Sequence, residues 1–73
     1  MESILIVEDD AAQATALRQF LSSWGYEVTL LDSAAKAITY LSVNTPDMAV
    51  IDLHLEDHPG IEILKHIRDT DGA

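Results

Sequence analysis

Apolar and polar positions along the chain follow two rhythms in turn. The run SILIV, residues 3–7, is strand-like and stops at three acids, Glu8, Asp9 and Asp10. The spacing then changes. Leu17, Phe20, Leu21 and Trp24 recur at i, i+3, i+4 and i+7, one face of a helix from about Asp10 to Trp24. Asp10 can cap its N-terminus, and Gly25 can take the left-handed conformation that ends it. YEVTLL, residues 26–31, predicts a second strand. Asp32 or Ser33 then caps a second helix, through about Val43, with Ala34, Ala37, Ile38 and Leu41 inward. NTP at 44–46 breaks the chain. MAVID, residues 48–52, is the third strand. A third helix starts near Pro59, a residue suited to a first helical position, with Gly60, Ile63, Leu64 and Ile67 as its inner stripe. The ending RDTDGA reads as a polar loop.

Strand–helix–strand spacing of this kind predicts an α/β fold of parallel strands joined by right-handed crossovers. The first and third strands are continuous apolar runs, as expected where both sheet faces are covered. All strand C-termini then lie at one end of the sheet, the end outside which open α/β sheets bind ligands. Glu8, Asp9, Asp32 and Asp52 all fall there. No linker, low-complexity segment or second domain is visible in residues 1–73.

Composition narrows the function classes. Seventy-three residues with 48% hydrophobic content suit one small domain with a marginal core. The absence of cysteine excludes disulfides and thiolate metal sites. No apolar run approaches the roughly 20 residues of a membrane span, and the acidic start does not resemble a secretion signal. A soluble cytoplasmic protein is the expectation. The formal net charge of −9 disfavours nucleic acid and acidic membranes and suits a cation or a basic partner surface.

If the first and third strands are neighbours, Glu8, Asp9 and Asp52 converge. Their mutual repulsion is relieved by a divalent cation, and oxygen-only ligands favour Mg²⁺. Such a site suits phosphoryl transfer. A carboxylate not fully used by the metal can attack phosphorus and form an acyl phosphate. Asp52, fixed by a strand end and followed by an open loop, is the best placed. A plainer role is also open to the first group: Glu8, Asp9 and Asp10 are acids at a helix N-terminus, where the macrodipole favours them.

ILIVEDD followed by a helix, then GYEV, then PDMAVIDLHLEDHPGIEIL, resembles the receiver domain of bacterial two-component response regulators. The three motifs keep the family's order across the whole chain. The resemblance implies a flavodoxin-like three-layer fold with strand order 2-1-3-4-5, of which this chain supplies the first three βα units and hence the order 2-1-3. It implies that Asp52 accepts phosphoryl from the phosphohistidine of a sensor histidine kinase, that Glu8 and Asp9 are the acidic pair for Mg²⁺, and that His54 offers the metal its backbone carbonyl. Gly60 matches the family's glycine eight residues past the acceptor. The family usually carries proline four residues after the acceptor, where this chain has Glu56. The fourth and fifth βα units, with their switch hydroxyl and lysine, are not in this chain.

With those units absent, one edge of the third strand is expected to be open, and the first helix covers its sheet face alone. Exposed edges recruit strands, which predicts self-association, most simply a two-fold dimer pairing third strands antiparallel. A longer parent chain is the competing explanation. Among other features, His54 and His58 are four apart but flank a loop, His66 reads as surface, and Trp24 and Tyr26 staple the turn at Gly25. Lys36, Lys65 and Arg68 form no phosphate-binding cluster. Three function classes follow: a phosphoacceptor signalling domain that is not an enzyme, a phosphorylation-independent interaction module, and an aspartate-nucleophile phosphohydrolase. The last is disfavoured, because His54 stands where its acid would be.

Overall fold

The computed structural model describes residues 2–52, 54–57 and 59–70. It contains β1 (Ser3–Val7), α1 (Ala11–Ser23), β2 (Glu27–Leu31), α2 (Ala34–Leu41), β3 (Met48–Ile51) and α3 (Ile61–Thr70). The strands are parallel in the order β2-β1-β3. This is the flavodoxin-like order limited to three βα units. Central β1 pairs Val7 with Leu31 on one side and with Ile51 on the other. Its residues Ile4 to Val7 are at most 2% exposed, which is why the run carries no polar residue.

The two faces of β1 serve different layers. Leu5 and Val7 join Ala34, Ala37 and Leu41 of α2, Leu55 of the following loop and Ile63 of α3 in one core cluster. Ile4 and Ile6, pointing the opposite way along the pleat, fall on the α1 side. Burying the Leu5, Val7 and Ile63 side chains supplies about 1.5–3 kcal/mol each relative to leaving them in water.

The helix ends follow capping chemistry. Asp10 accepts the Gln13 N–H at 3.0 Å, and Ser33, the residue selected from the two candidates, accepts the Lys36 N–H at 3.2 Å. Gly25 has φ of 90° and donates its N–H to the Ser22 carbonyl, closing α1 in the left-handed conformation.

Several expectations need correction. Phe20 and Trp24 do not face the sheet; they are 60% and 70% exposed and lie against each other with ring centroids 6.0 Å apart. α1 is tied down through buried Ala14 and half-buried Leu17 and Leu21 instead. Trp24 therefore does not staple the turn. Leu64 is exposed, so Ile63 and Ile67 carry the packing of α3. Pro59 forms an isolated bridge with His54 before the helix rather than its first turn, and α3 begins at Ile61. Arg68 to Thr70 are helical, not loop. Packing of Ile67 carries the helix past a polar stretch, and Arg68 suits its C-terminal turn. His66 is half-buried rather than on the surface, and its Nε2 is enclosed with no hydrogen-bond partner among the described residues. No described helix is long and apolar enough to cross a membrane.

Candidate functional site

The sheet ladder continues one residue past two of its strands, and this builds the site. The Glu8 N–H donates to the Leu31 carbonyl at 3.0 Å, and the Asp52 N–H donates to the Val7 carbonyl at 2.9 Å. Glu8 and Asp52 are thus fixed side by side at the C-terminal ends of β1 and β3. Asp9 follows directly. One carboxylate oxygen from each of Glu8, Asp9 and Asp52 lies within 4.8 Å of the others. All three residues are half-buried.

Among the described residues, each carboxylate accepts one main-chain N–H. Glu8 Oε1 accepts from the Asp10 N–H at 3.1 Å, Asp52 Oδ1 from the His54 N–H at 2.9 Å, and Asp9 Oδ2 from the Glu56 N–H at 3.1 Å. The first two donors are local. The third is 47 positions along the chain and closes the loop after β3 over the site.

An all-oxygen donor set with this spacing fits Mg²⁺. Octahedral ligation at about 2.0–2.1 Å places ligand oxygens roughly 3–4 Å apart, and waters complete the shell. Main-chain donors take one lone pair per carboxylate and leave others for a cation.

The structure gathers some expected residues and separates others. Asp32, though at a strand end, is not in the cluster. It pairs with Lys36 at 2.9 Å, and the hydrogen bond and charge of Lys36 hold its carboxyl below the ordinary carboxylate value. Asp10 is an α1 cap, as the plainer reading of the acids has it. Of the two histidines that flank the loop after β3, His54 is exposed and His58 lies outside the described residues. Lys36, isolated from other cations in the sequence, lines a hollow of about 330 Å³ together with Glu8, Asp9 and Asp32. Asp57 belongs to no motif in the sequence, yet its two oxygens accept the Ala34 and Ala35 N–H groups, each at 2.9 Å. Its place in a polar loop carries no local signal, because the contact with the first turn of α2 joins residues more than 20 positions apart.

The model of the response regulator receiver domain matches residues 4–73. Response regulator MprA of Mycobacterium sp. (strain KMS) is 36% identical over 67 residues, covering 92% of this chain and 29% of that protein. The virulence transcriptional regulatory protein PhoP of Salmonella typhimurium (strain 14028s) is 34% identical over 71 residues, covering 97% of this chain and 32% of that protein. The chain therefore spans about a third of the length of these curated relatives. Among solved structures, the response regulator TrrA of Thermotoga maritima, crystallised with Mg²⁺–BeF, superposes with a TM-score of 0.92 at 24% identity, over 99% of this chain and 63% of that one. TrrA in complex with histidine kinase ThkA gives a TM-score of 0.87 at 25% identity, over 94% and 60% of the two chains. The strand order, the acidic cluster at the strand ends and the match across nearly all its length together establish that this chain belongs to the response regulator receiver domain family.

Proposed function

We propose that Asp52 is a phosphoacceptor and that this chain is the N-terminal part of a receiver domain, its fourth and fifth βα units lying outside it. The observation that carries this reading is the meeting of the Glu8, Asp9 and Asp52 carboxylates at the ends of β1 and β3, with Asp52 pinned to the Val7 carbonyl. An Asp52 carboxylate oxygen attacks phosphorus of a phosphohistidine on a sensor histidine kinase. The new P–O bond forms as the P–N bond breaks, and the electron pair leaves on the imidazole nitrogen. The Glu8, Asp9 and Asp52 carboxylates and the backbone carbonyl of His54 would hold Mg²⁺, which when bound neutralises charge on the oxygens in transfer. Support for metal and kinase comes from TrrA, crystallised with Mg²⁺–BeF and with ThkA. The role is that of an acceptor rather than a turnover enzyme. It belongs in the cytoplasm, where a kinase phosphohistidine is available. A net charge of −9 disfavours nucleic acid contact by residues 1–73.

The test is intact mass after incubation with Mg²⁺ and acetyl phosphate. A gain of one phosphoryl group, absent in Asp52→Asn and absent without Mg²⁺, is the expected result. No gain in this chain or in an uninterrupted longer parent would overturn the reading in favour of an interaction module.

A second reading concerns assembly. Among the described residues β3 is paired on one side only, and Met48 and Val50 are 55% and 37% exposed. An open edge beside uncovered apolar side chains favours a homodimer pairing β3 with its copy.

A further inference from the structure

Asp9 differs from the other two acids in where its orientation comes from. Glu8 and Asp52 are each oriented by an N–H two residues onward, which any chain of this local shape provides. Asp9 depends on the Glu56 N–H, 47 positions away. That amide is held on both sides. Before it, Leu55 is 7% exposed and packs in the core cluster. After it, Asp57 spans the first two amides of α2, Ala34 and Ala35, with one oxygen on each at 2.9 Å. With Ser33 taking the Lys36 N–H, three of the four unpaired donors at the α2 N-terminus are satisfied. The Glu56 side chain itself is exposed. The main-chain N–H is the part of Glu56 that reaches the site, and proline, the residue the family usually has there, would lack it.

We propose that Glu56, through its backbone N–H, is a positioning residue for the Mg²⁺ ligand Asp9, and that Asp57 sets this amide in place by clamping the loop to the N-terminus of α2. The inference rests on the reading of the acidic cluster as a Mg²⁺ site. A carboxylate on a strand-to-helix junction can rotate about its last torsion, which is broad. One N–H on Oδ2 fixes that rotation before the cation arrives, while Oδ1 and a second lone pair on Oδ2 stay available. The cation then loses less to ordering its ligand.

The experiment measures Mg²⁺ affinity by calorimetry and the hydrogen exchange of individual amides by NMR, in the whole chain and four variants. Glu56→Ala keeps the N–H and should bind Mg²⁺ within about twofold of the parent. Glu56→Pro removes it and should bind roughly threefold to tenfold more weakly. Asp57→Ala should weaken Mg²⁺ binding similarly and also speed exchange at Ala34 and Ala35. In Asp9→Ala, Glu56 N–H exchange should accelerate by about tenfold while the α2 amides stay unchanged. This last arm leaves the loop sequence intact and decides the matter if Glu56→Pro fails to fold. Equal affinity in Glu56→Pro and parent, equal weakening in Glu56→Ala, or unchanged Glu56 exchange in Asp9→Ala would each overturn the positioning role. Unaltered affinity in Asp57→Ala would overturn the clamp. A parent chain with no Mg²⁺ affinity at all would remove the metal-site reading together with this one, whereas a parent that binds while the variants match it removes this one alone.

Discussion

Replacing Asp52 by Asn should stabilise the metal-free chain, because the acceptor is held where its charge is unfavourable. Its carboxylate oxygen lies within 4.8 Å of oxygens on both Glu8 and Asp9. At that separation two unit charges repel by roughly 0.9 kcal/mol even at the dielectric constant of water, and more where water is partly excluded. Two such pairs, reduced by salt within the Debye length, leave about 1–2 kcal/mol to be recovered. Little is lost in exchange: asparagine keeps the oxygen that accepts the His54 N–H at 2.9 Å. For a domain of this size the gain corresponds to about 5–12 °C in Tm. Thermal melts followed by far-ultraviolet circular dichroism, in EDTA at low salt, would read it directly. Raising the salt should shrink the difference. Saturating Mg²⁺ should reverse the order, since the parent gains about 2.7 kcal/mol at a hundredfold excess over Kd and the variant, with a ligand charge removed, gains less. An Asp52→Asn chain no more stable than the parent in EDTA would refute the convergence of the three charges.

Three further outcomes follow from the packing and charge map. Ile63→Ala, at a position 0% exposed in the core cluster, should cost about 2–5 kcal/mol, whereas Phe20→Ala, at a position 60% exposed, should stay within about 0.5 kcal/mol; urea titration separates them, and equal costs would contradict the described core. Lys36→Met should let the Asp32 carboxyl titrate at higher pH than in the parent, read by carboxyl NMR. A lowered folded value means that the pair's contribution is present above the unfolded value near 3.8 and fades as pH falls through the folded one, so the variant's deficit should vanish in strong acid. With both side chains about two-thirds exposed the deficit is small, and an unmoved Asp32 titration would exclude the pairing. Met48→Lys with Val50→Lys should abolish self-association in sedimentation velocity, and a parent that sediments as a monomer at all working concentrations would refute the edge-pairing dimer.

Elements whose burial is two-sided were readable from the chain. β1 is apolar from Ile4 to Val7 because helices cover both faces, and α2 places Ala34, Ala37 and Leu41 inward at the spacing seen in sequence. Caps at Asp10 and Ser33 and the turn at Gly25 were readable too, since each is a local chemical requirement. α1 was harder. Its stripe of Leu17, Phe20, Leu21 and Trp24 has the correct period, but period does not say which part of the stripe meets the sheet, and the helix settles on Ala14, Leu17 and Leu21. The polar ending hid the last turn of α3, because Ile67 holds it by packing that no nearby residue announces.

The acids at Glu8, Asp9 and Asp52 were visible as strand-end carboxylates, and parallel βα units dictate that strand ends share one side. The sequence alone thus determined the layer architecture, the end of the sheet that carries the chemistry and the acids available to it. Tertiary structure decided which acids meet. It brought the Glu56 amide onto Asp9 and set Asp57 against the first turn of α2, whereas Asp32 has a local partner, Lys36, four residues onward. The division has a physical cause: periodicity and capping are fixed by neighbours within about one helical turn, whereas the meeting of Glu8, Asp9 and Asp52 and the contact of Asp9 with Glu56 are set by strand register and loop path, which join residues up to 47 positions apart.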